Sequence, residues 1–190
     1  MWVSHLYLKA LRQVGLDTEM VFIRLVSAVE ILSSKYTKIE SSADTFQGKK
    51  LSEVLDTSKL KESEKNELED IFAVRKSRLK FISFIEKYCT GFFKGGQSKA
   101  EHCKIRKNKL RPVLSSIYNA RSSYLHRGES MYLSSFLRMK EARKWDTDPG
   151  GDMIIGNKLF SASEKLPYPH FFESLARQCF LNFLKEKSQP

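Results

Sequence analysis

Apolar residues recur with a helical period along most of this chain. From Asp17 to Tyr36, the residues Phe22, Leu25, Val29, Leu32 and Tyr36 stand at alternating intervals of three and four, which is one helix face. Val21, Val26 and Ala28 widen that face, so the segment reads as a central helix. Asp17 follows the turn residue Gly15 and is placed to cap its start. Ser33 to Gly48 is rich in Ser, Thr and Lys and reads as a helix end followed by a loop. Between Leu51 and Ala73, a core face is expected on Leu51, Val54, Leu55, Leu60, Leu68, Ile71 and Phe72, with Glu and Lys on the solvent side. A second core helix is expected over Val74 to Tyr88, carried by Leu79, Phe81, Ile82, Phe84, Ile85 and Tyr88. Thr90-Gly91 and then Gly95-Gly96 break it.

The second half of the chain continues the pattern. Leu110 to His126 predicts a helix, with Pro112 in its tolerant first turn and Gly128 as C-cap. Met131 to Trp145 is weakly amphipathic, and Asp146 to Gly151 is a turn cluster. Met153 to Leu159 reads as a short strand or extended loop around Gly156-Asn157. Pro167 and Pro169 mark a boundary before a last helix, roughly Phe171 to Lys187, with Phe172, Ala176, Cys179 and Phe183 on one face. The expected fold is therefore all-α: one domain over residues 1–190, a bundle of four or five main helices with a long loop insertion before the last. There is no internal repeat and no low-complexity tract.

Composition adds three constraints. A 41% hydrophobic content over 190 residues is enough for one buried core. The 33 Lys+Arg exceed the 22 Asp+Glu, and the net charge of +11 predicts attraction to anions: nucleic acid, an anionic membrane or an acidic partner. The excess is concentrated in Lys94, Lys99, Lys104, Arg106, Lys107, Lys109 and Arg111, opposed only by Glu101. Such a run positions phosphates without reading sequence. No membrane span is expected, since the longest apolar stretch, Met20 to Leu32, is interrupted by Arg24, Ser27 and Glu30. Cys89, Cys103 and Cys179 form no framework spacing, and the start of the chain lacks a secretory pattern, so a cytoplasmic protein is expected. Neither a metal nor another cofactor is expected: Cys89, His102 and Cys103 lack paired short spacings, and Gly95-Gly96 lacks the rest of a phosphate loop. His5, His102 and His170 stand alone.

One segment carries candidate chemistry. Leu110, Leu114, Ile117, Arg121 and Tyr124 fall on one stripe at spacings of four, three, four and three, so Arg121 interrupts an apolar face. A guanidinium there needs a carboxylate partner or an anion-holding cleft, and Glu30, inside the central helix, is the candidate partner. His126 follows at the helix end, where the Gly128 stop lets the chain turn. An imidazole can take or give a proton near neutral pH.

The run Ile117-Tyr118-Asn119-Ala120-Arg121-Ser122-Ser123-Tyr124-Leu125-His126-Arg127-Gly128 resembles the R-x4–6-H motif of the HEPN superfamily, in its Apea-like form. Ala28-Val29-Glu30 is similar to the family's early helix and Lys80-Phe81-Ile82-Ser83-Phe84-Ile85 to its middle helix. Two positions depart from the pattern: Ser122 stands where many active members have Asn, Asp or His, and Arg127 intervenes before Gly128. The resemblance implies a metal-independent endoribonuclease with Arg121 and His126 as catalytic residues, acting on RNA as a homodimer whose two copies build one composite site. Asn119, Ser122, Tyr124 and Arg127, with Lys104, Arg106, Lys107, Lys109 and Arg111, are the candidate RNA-binding or supporting residues. It further implies a role in phage defence or a toxin–antitoxin system, with a regulatory N-terminal domain of a longer protein, or an antitoxin, as candidate partner. The rival expectation is a non-catalytic HEPN module for RNA binding or dimerisation.

Overall fold

A computed structural model of the chain describes residues 2–13, 16–38, 45–46, 49–50, 54–55, 58–96, 105–131, 153–155, 158–160 and 166–188. Among the described residues, five main helices make the bundle: α1 (Trp2–Gln13), α2 (Thr18–Tyr36), α3 (Glu62–Tyr88), α4 (Leu110–Arg127) and α5 (Pro169–Lys187). Two small antiparallel hairpins accompany them, Thr45–Phe46 with Lys49–Lys50 and Met153–Ile155 with Lys158–Phe160. The strands of the second hairpin fall on either side of Gly156-Asn157 in the sequence, within the segment expected to be extended. The remainder of the expected insertion, including Met131 to Trp145 beyond its first residue, lies outside the described residues.

The helix ends follow local chemistry. Asp17 is extended and its Oδ1 accepts from the Met20 N–H at 3.0 Å, satisfying one orphan donor of α2. The Lys61 N–H donates to Glu64 Oε2 at 2.7 Å at the start of α3. At its far end, Asn182 of α5 donates to the carbonyls of Tyr88 (2.8 Å) and Thr90 (3.0 Å). A single side chain thus closes α3 and ties it to α5. Gly91, at φ 85°, then turns the chain where a β-carbon is disfavoured.

Helix α2 is central because it packs against the other four. Its Val21, Phe22, Leu25, Val26 and Val29 are buried, as the periodicity predicts. An aromatic cluster fills the space around it. Phe22 stacks on Phe172 of α5 with centroids 5.9 Å apart, Phe172 meets Phe81 at 6.1 Å, and Phe81 meets Tyr118 of α4 at 5.4 Å. Cys179 and Cys89 are buried free thiols, and burial raises the pKa of both, so neither is poised as a nucleophile. Cys103 and His102 lie outside the described residues.

The middle of the chain requires a correction. The helices expected before and after residue 74 are one continuous helix, α3, because nothing between Phe72 and Lys76 breaks the backbone ladder. The expected core face of this region is not formed: Leu60, before α3, and Ile71 within it are exposed, and Val54, Leu68 and Phe72 are only half-buried. Leu55 is buried as expected, whereas Leu51 lies outside the described residues. The C-terminal half buries Phe81, Ile82, Phe84, Ile85 and Tyr88.

Phe172→Ala should cost about 3–5 kcal/mol of stability, because it empties the centre of the aromatic cluster. Leu16→Ala, at an 84% exposed position, should cost less than about 0.5 kcal/mol. Urea unfolding of the two variants checks the contrast; similar losses would contradict this placement of the core.

Candidate functional site

Helix α4 presents the candidate residues in the order of its turns. A short 3-10 turn at Lys107–Lys109 leads into it, and Pro112 lies in its first turn. Leu114, Ile117 and Tyr118 are buried against the core, and Tyr124 is half-buried against it. The helix ends where predicted: Gly128 takes up φ 66°, and its N–H donates to the Tyr124 carbonyl at 3.0 Å.

Arg121 lies on the buried side, and its charge is answered from α2. Its Nη2 lies 2.6 Å from Glu30 Oε2, with side-chain exposures of 16% and 22% for the two residues. The other oxygen, Glu30 Oε1, accepts from the Tyr118 hydroxyl at 2.9 Å. Burial first, then the negative charge of Glu30, push the Tyr118 hydroxyl up to about 12, so it remains a donor to Glu30 at any physiological pH. The carboxylate therefore holds two side chains from successive turns of α4. The Nε of Arg121 is buried without a hydrogen-bond partner, so the guanidinium is anchored but not saturated.

His126 is exposed in the last turn of α4. Beside it, Arg127 donates to Ser123 Oγ at 2.6 Å and pairs with Glu129 at 3.0 Å. The chain beyond Gly128 is fixed by Glu19 of α2, whose Oε1 accepts from the Ser130 hydroxyl and from the Met131 N–H at 2.7 Å. Asn119 is exposed about two turns before His126, and its Oδ1 accepts from Arg78 Nη1 of α3 at 3.3 Å. Ser122 is half-buried beside Arg121. Periodicity singles out Arg121 and Glu30, but it gives no hint of Arg78, Glu19 or the Tyr118 hydroxyl. These contacts span 41 to 112 residues of chain, and no local spacing announces them.

The described part of the basic run lies at the opposite end of α4 from His126. Arg106, Lys107 and Lys109 are exposed at the N-terminal end of α4. At a rise of about 1.5 Å per residue, that end is roughly 25 Å along the axis from His126. The cations do not surround the Arg121–His126 pair; they sit at the far end of the same helix. Arg111 is committed to a two-pronged contact with Glu86, Nε to Oε1 and Nη2 to Oε2, both at 3.0 Å. Lys104 lies outside the described residues. Lys107 and Lys109 also stand at the positive end of the helix dipole, with no acid in its first turn to offset them. Among the described residues, no group of His, Cys, Asp and Glu could hold a metal ion. None of the described helices is long and apolar enough to cross a membrane.

No family model, curated protein or solved structure matches this chain.

Glu30→Gln should leave the Arg121 guanidinium half-buried without its counter-charge and weaken the hold on Tyr118. The expected cost is about 2 kcal/mol, since partial exposure moderates the penalty of a fully buried orphan. Thermal unfolding checks it, and a stability equal to that of the natural chain would mean the pair contributes nothing. Gly128→Ala should cost about 1 kcal/mol through its positive φ alone, because nothing lies within 4 Å of the added methyl.

Proposed function

We propose that this chain is a HEPN-type endoribonuclease that cleaves RNA without a metal, using Arg121 and His126 from two paired copies. The observation that carries the reading is an anchored arginine in an apolar helix face, held by Glu30 and followed within the same helix end by an exposed histidine and a glycine stop.

In this reading, His126 of one copy takes the proton of a ribose 2′-hydroxyl. The 2′-oxygen attacks the adjacent phosphorus, and the bond from phosphorus to the 5′-oxygen breaks. The departing oxygen takes a proton from the second His126, leaving a 2′,3′-cyclic phosphate and a 5′-hydroxyl. Arg121 supplies a fixed positive charge near the five-coordinate phosphorus. Glu30 orients the guanidinium in advance, which lowers the reorganisation required when charge develops. Arg106, Lys107 and Lys109 hold the flanking phosphates at the far end of α4. A phage-defence or toxin–antitoxin setting, with a regulatory domain or antitoxin as a further partner, belongs to this proposal.

The Arg121–Glu30 contact also favours a second reading. An arginine already neutralised by a carboxylate within one chain suits a non-catalytic HEPN module that binds RNA or pairs with itself. Cleavage separates the two. With a single-stranded RNA in the presence of a chelator, the natural chain should cut, and His126→Ala should lose about 10²- to 10⁴-fold in rate. The matching DNA, lacking the attacking hydroxyl, should remain intact. Equal cutting by both proteins would remove His126 from the chemistry; binding without cutting by either would select the module. RNA binding should weaken with salt, and Lys107→Gln with Lys109→Gln should flatten that dependence by about one to two units of slope.

A further inference from the structure

The side of α3 that faces the core continues beyond the core. Positions 64, 67, 71, 74, 78, 81, 85 and 88 alternate by three and four residues and form one stripe along the helix. Phe81, Ile85 and Tyr88 of that stripe are buried at 0–5% exposure, whereas Ile71 and Val74 are 56% and 52% exposed. The uncovered half carries a charge order. Glu62, Glu64, Glu67 and Glu69 precede Ile71, with Lys65 the one cation among them, and Arg75, Lys76, Arg78 and Lys80 follow Val74. Glu67 and Arg75 have no ion-pair partner among the described residues.

We infer that this stretch of α3 pairs with the same stretch of a second copy, antiparallel, about a two-fold axis at Ile71. The charge order selects that partner. Antiparallel pairing of a helix with its own copy sets residue 71 − n against 71 + n, so Glu64 meets Arg78 and Glu67 meets Arg75, with Ile71 and Val74 closing an apolar centre. Parallel pairing would set Glu against Glu and Arg against Arg, which like-charge repulsion disfavours. The arrangement is isologous, and it closes at two copies.

The pairing reaches the candidate site. Helices α3 and α4 run antiparallel, since Glu86 meets Arg111 and Arg78 meets Asn119. Both contacts share one register, and that register places His126 level with Ile71. The two-fold axis therefore brings the His126 turns of both copies to one region. Leu125, 48% exposed beside it, extends the apolar centre. Arg78 links the stripe to Asn119, two residues before Arg121. The inference rests on the ribonuclease reading only for what the paired site does; the pairing is read by mass, independently of cleavage.

The natural chain should elute with twice its 22.0 kDa mass in light-scattering chromatography. Glu64→Lys with Glu67→Lys leaves cation facing cation at both proposed charge contacts, and Arg75→Glu with Arg78→Glu leaves acid facing acid. Each double variant should be monomeric alone, and an equimolar mixture should recover the double mass. Ile71→Cys should cross-link copy to copy on oxidation. Val74→Cys should not, because the axis separates the two copies of that residue by about six residues' rise, roughly 9 Å along the helix. Recovery in the mixture shows that the variants are folded. A monomeric natural chain, as a segment of the same chain covering the stripe would produce, overturns the inference. So do double variants that still dimerise, or Val74→Cys that cross-links as readily as Ile71→Cys.

Discussion

The contact between Glu30 and Arg121 is the constraint around which the bundle's interior is arranged. Two opposite charges sit between α2 and α4 at a depth where either alone would be expensive. The carboxylate can remain there because Arg121 and the Tyr118 hydroxyl occupy its two oxygens, and the guanidinium because α2 brings the carboxylate to it. A pair of this kind rarely adds much net stability over a well-packed apolar alternative. Its geometry fixes a cation at one position between α2 and α4. Glu30 also sets the rotation of α4. Tyr118 and Arg121 must both face α2, which leaves Asn119 and His126 outside.

That rotation decides what the rest of α4 presents to solvent. Because its buried side is fixed by Glu30, its exposed side runs from the cations at Lys107 and Lys109 to His126. The helix thus separates the cations that precede it from the histidine in its last turn. Lysines that lead into the motif along the chain stand about 25 Å from its histidine. An extended polyanion lying along α4 would reach both ends, whereas a mononucleotide would not.

The sequence reveals those features whose cause is local. The period of α2, the Asp17 cap, the Gly128 stop and the start of α5 near Pro169 all depend on residues a few positions apart, and all stand where expected. Glu30 was legible as the partner of Arg121 because each is a lone charge within an apolar stripe, and such charges must find one another. Arg78, Glu19 and Tyr118 were not legible, since each acts across a long span of chain and is a residue type equally at home on a solvated surface. The division of α3 into two helices failed for a different reason. Periodicity reports which residues share a face, not whether that face is covered, so Ile71 reads as core as clearly as Phe81.

That ambiguity has a physical interpretation. The stripe keeps one spacing on both sides of Arg78, with Glu64, Glu67, Ile71 and Val74 before it and Phe81, Ile85 and Tyr88 after it. The fold covers only the half between α2 and α5. In a single chain, the other half leaves Ile71 and Val74 more than half exposed, on a stretch of helix whose Leu68 and Phe72 are only half-buried. Helices of this kind draw most of their stability from a covered face, so the projecting half of α3 is the part of the bundle with the most to gain from a partner. The order of its charges makes a second α3 the partner that fits it without adding a like-charge contact. The interaction that fixes α4 and the surface left open on α3 then complement each other: Glu30 sets where Arg121 and His126 stand within a copy, and in the proposed pairing the uncovered stripe would set where a second copy stands relative to them.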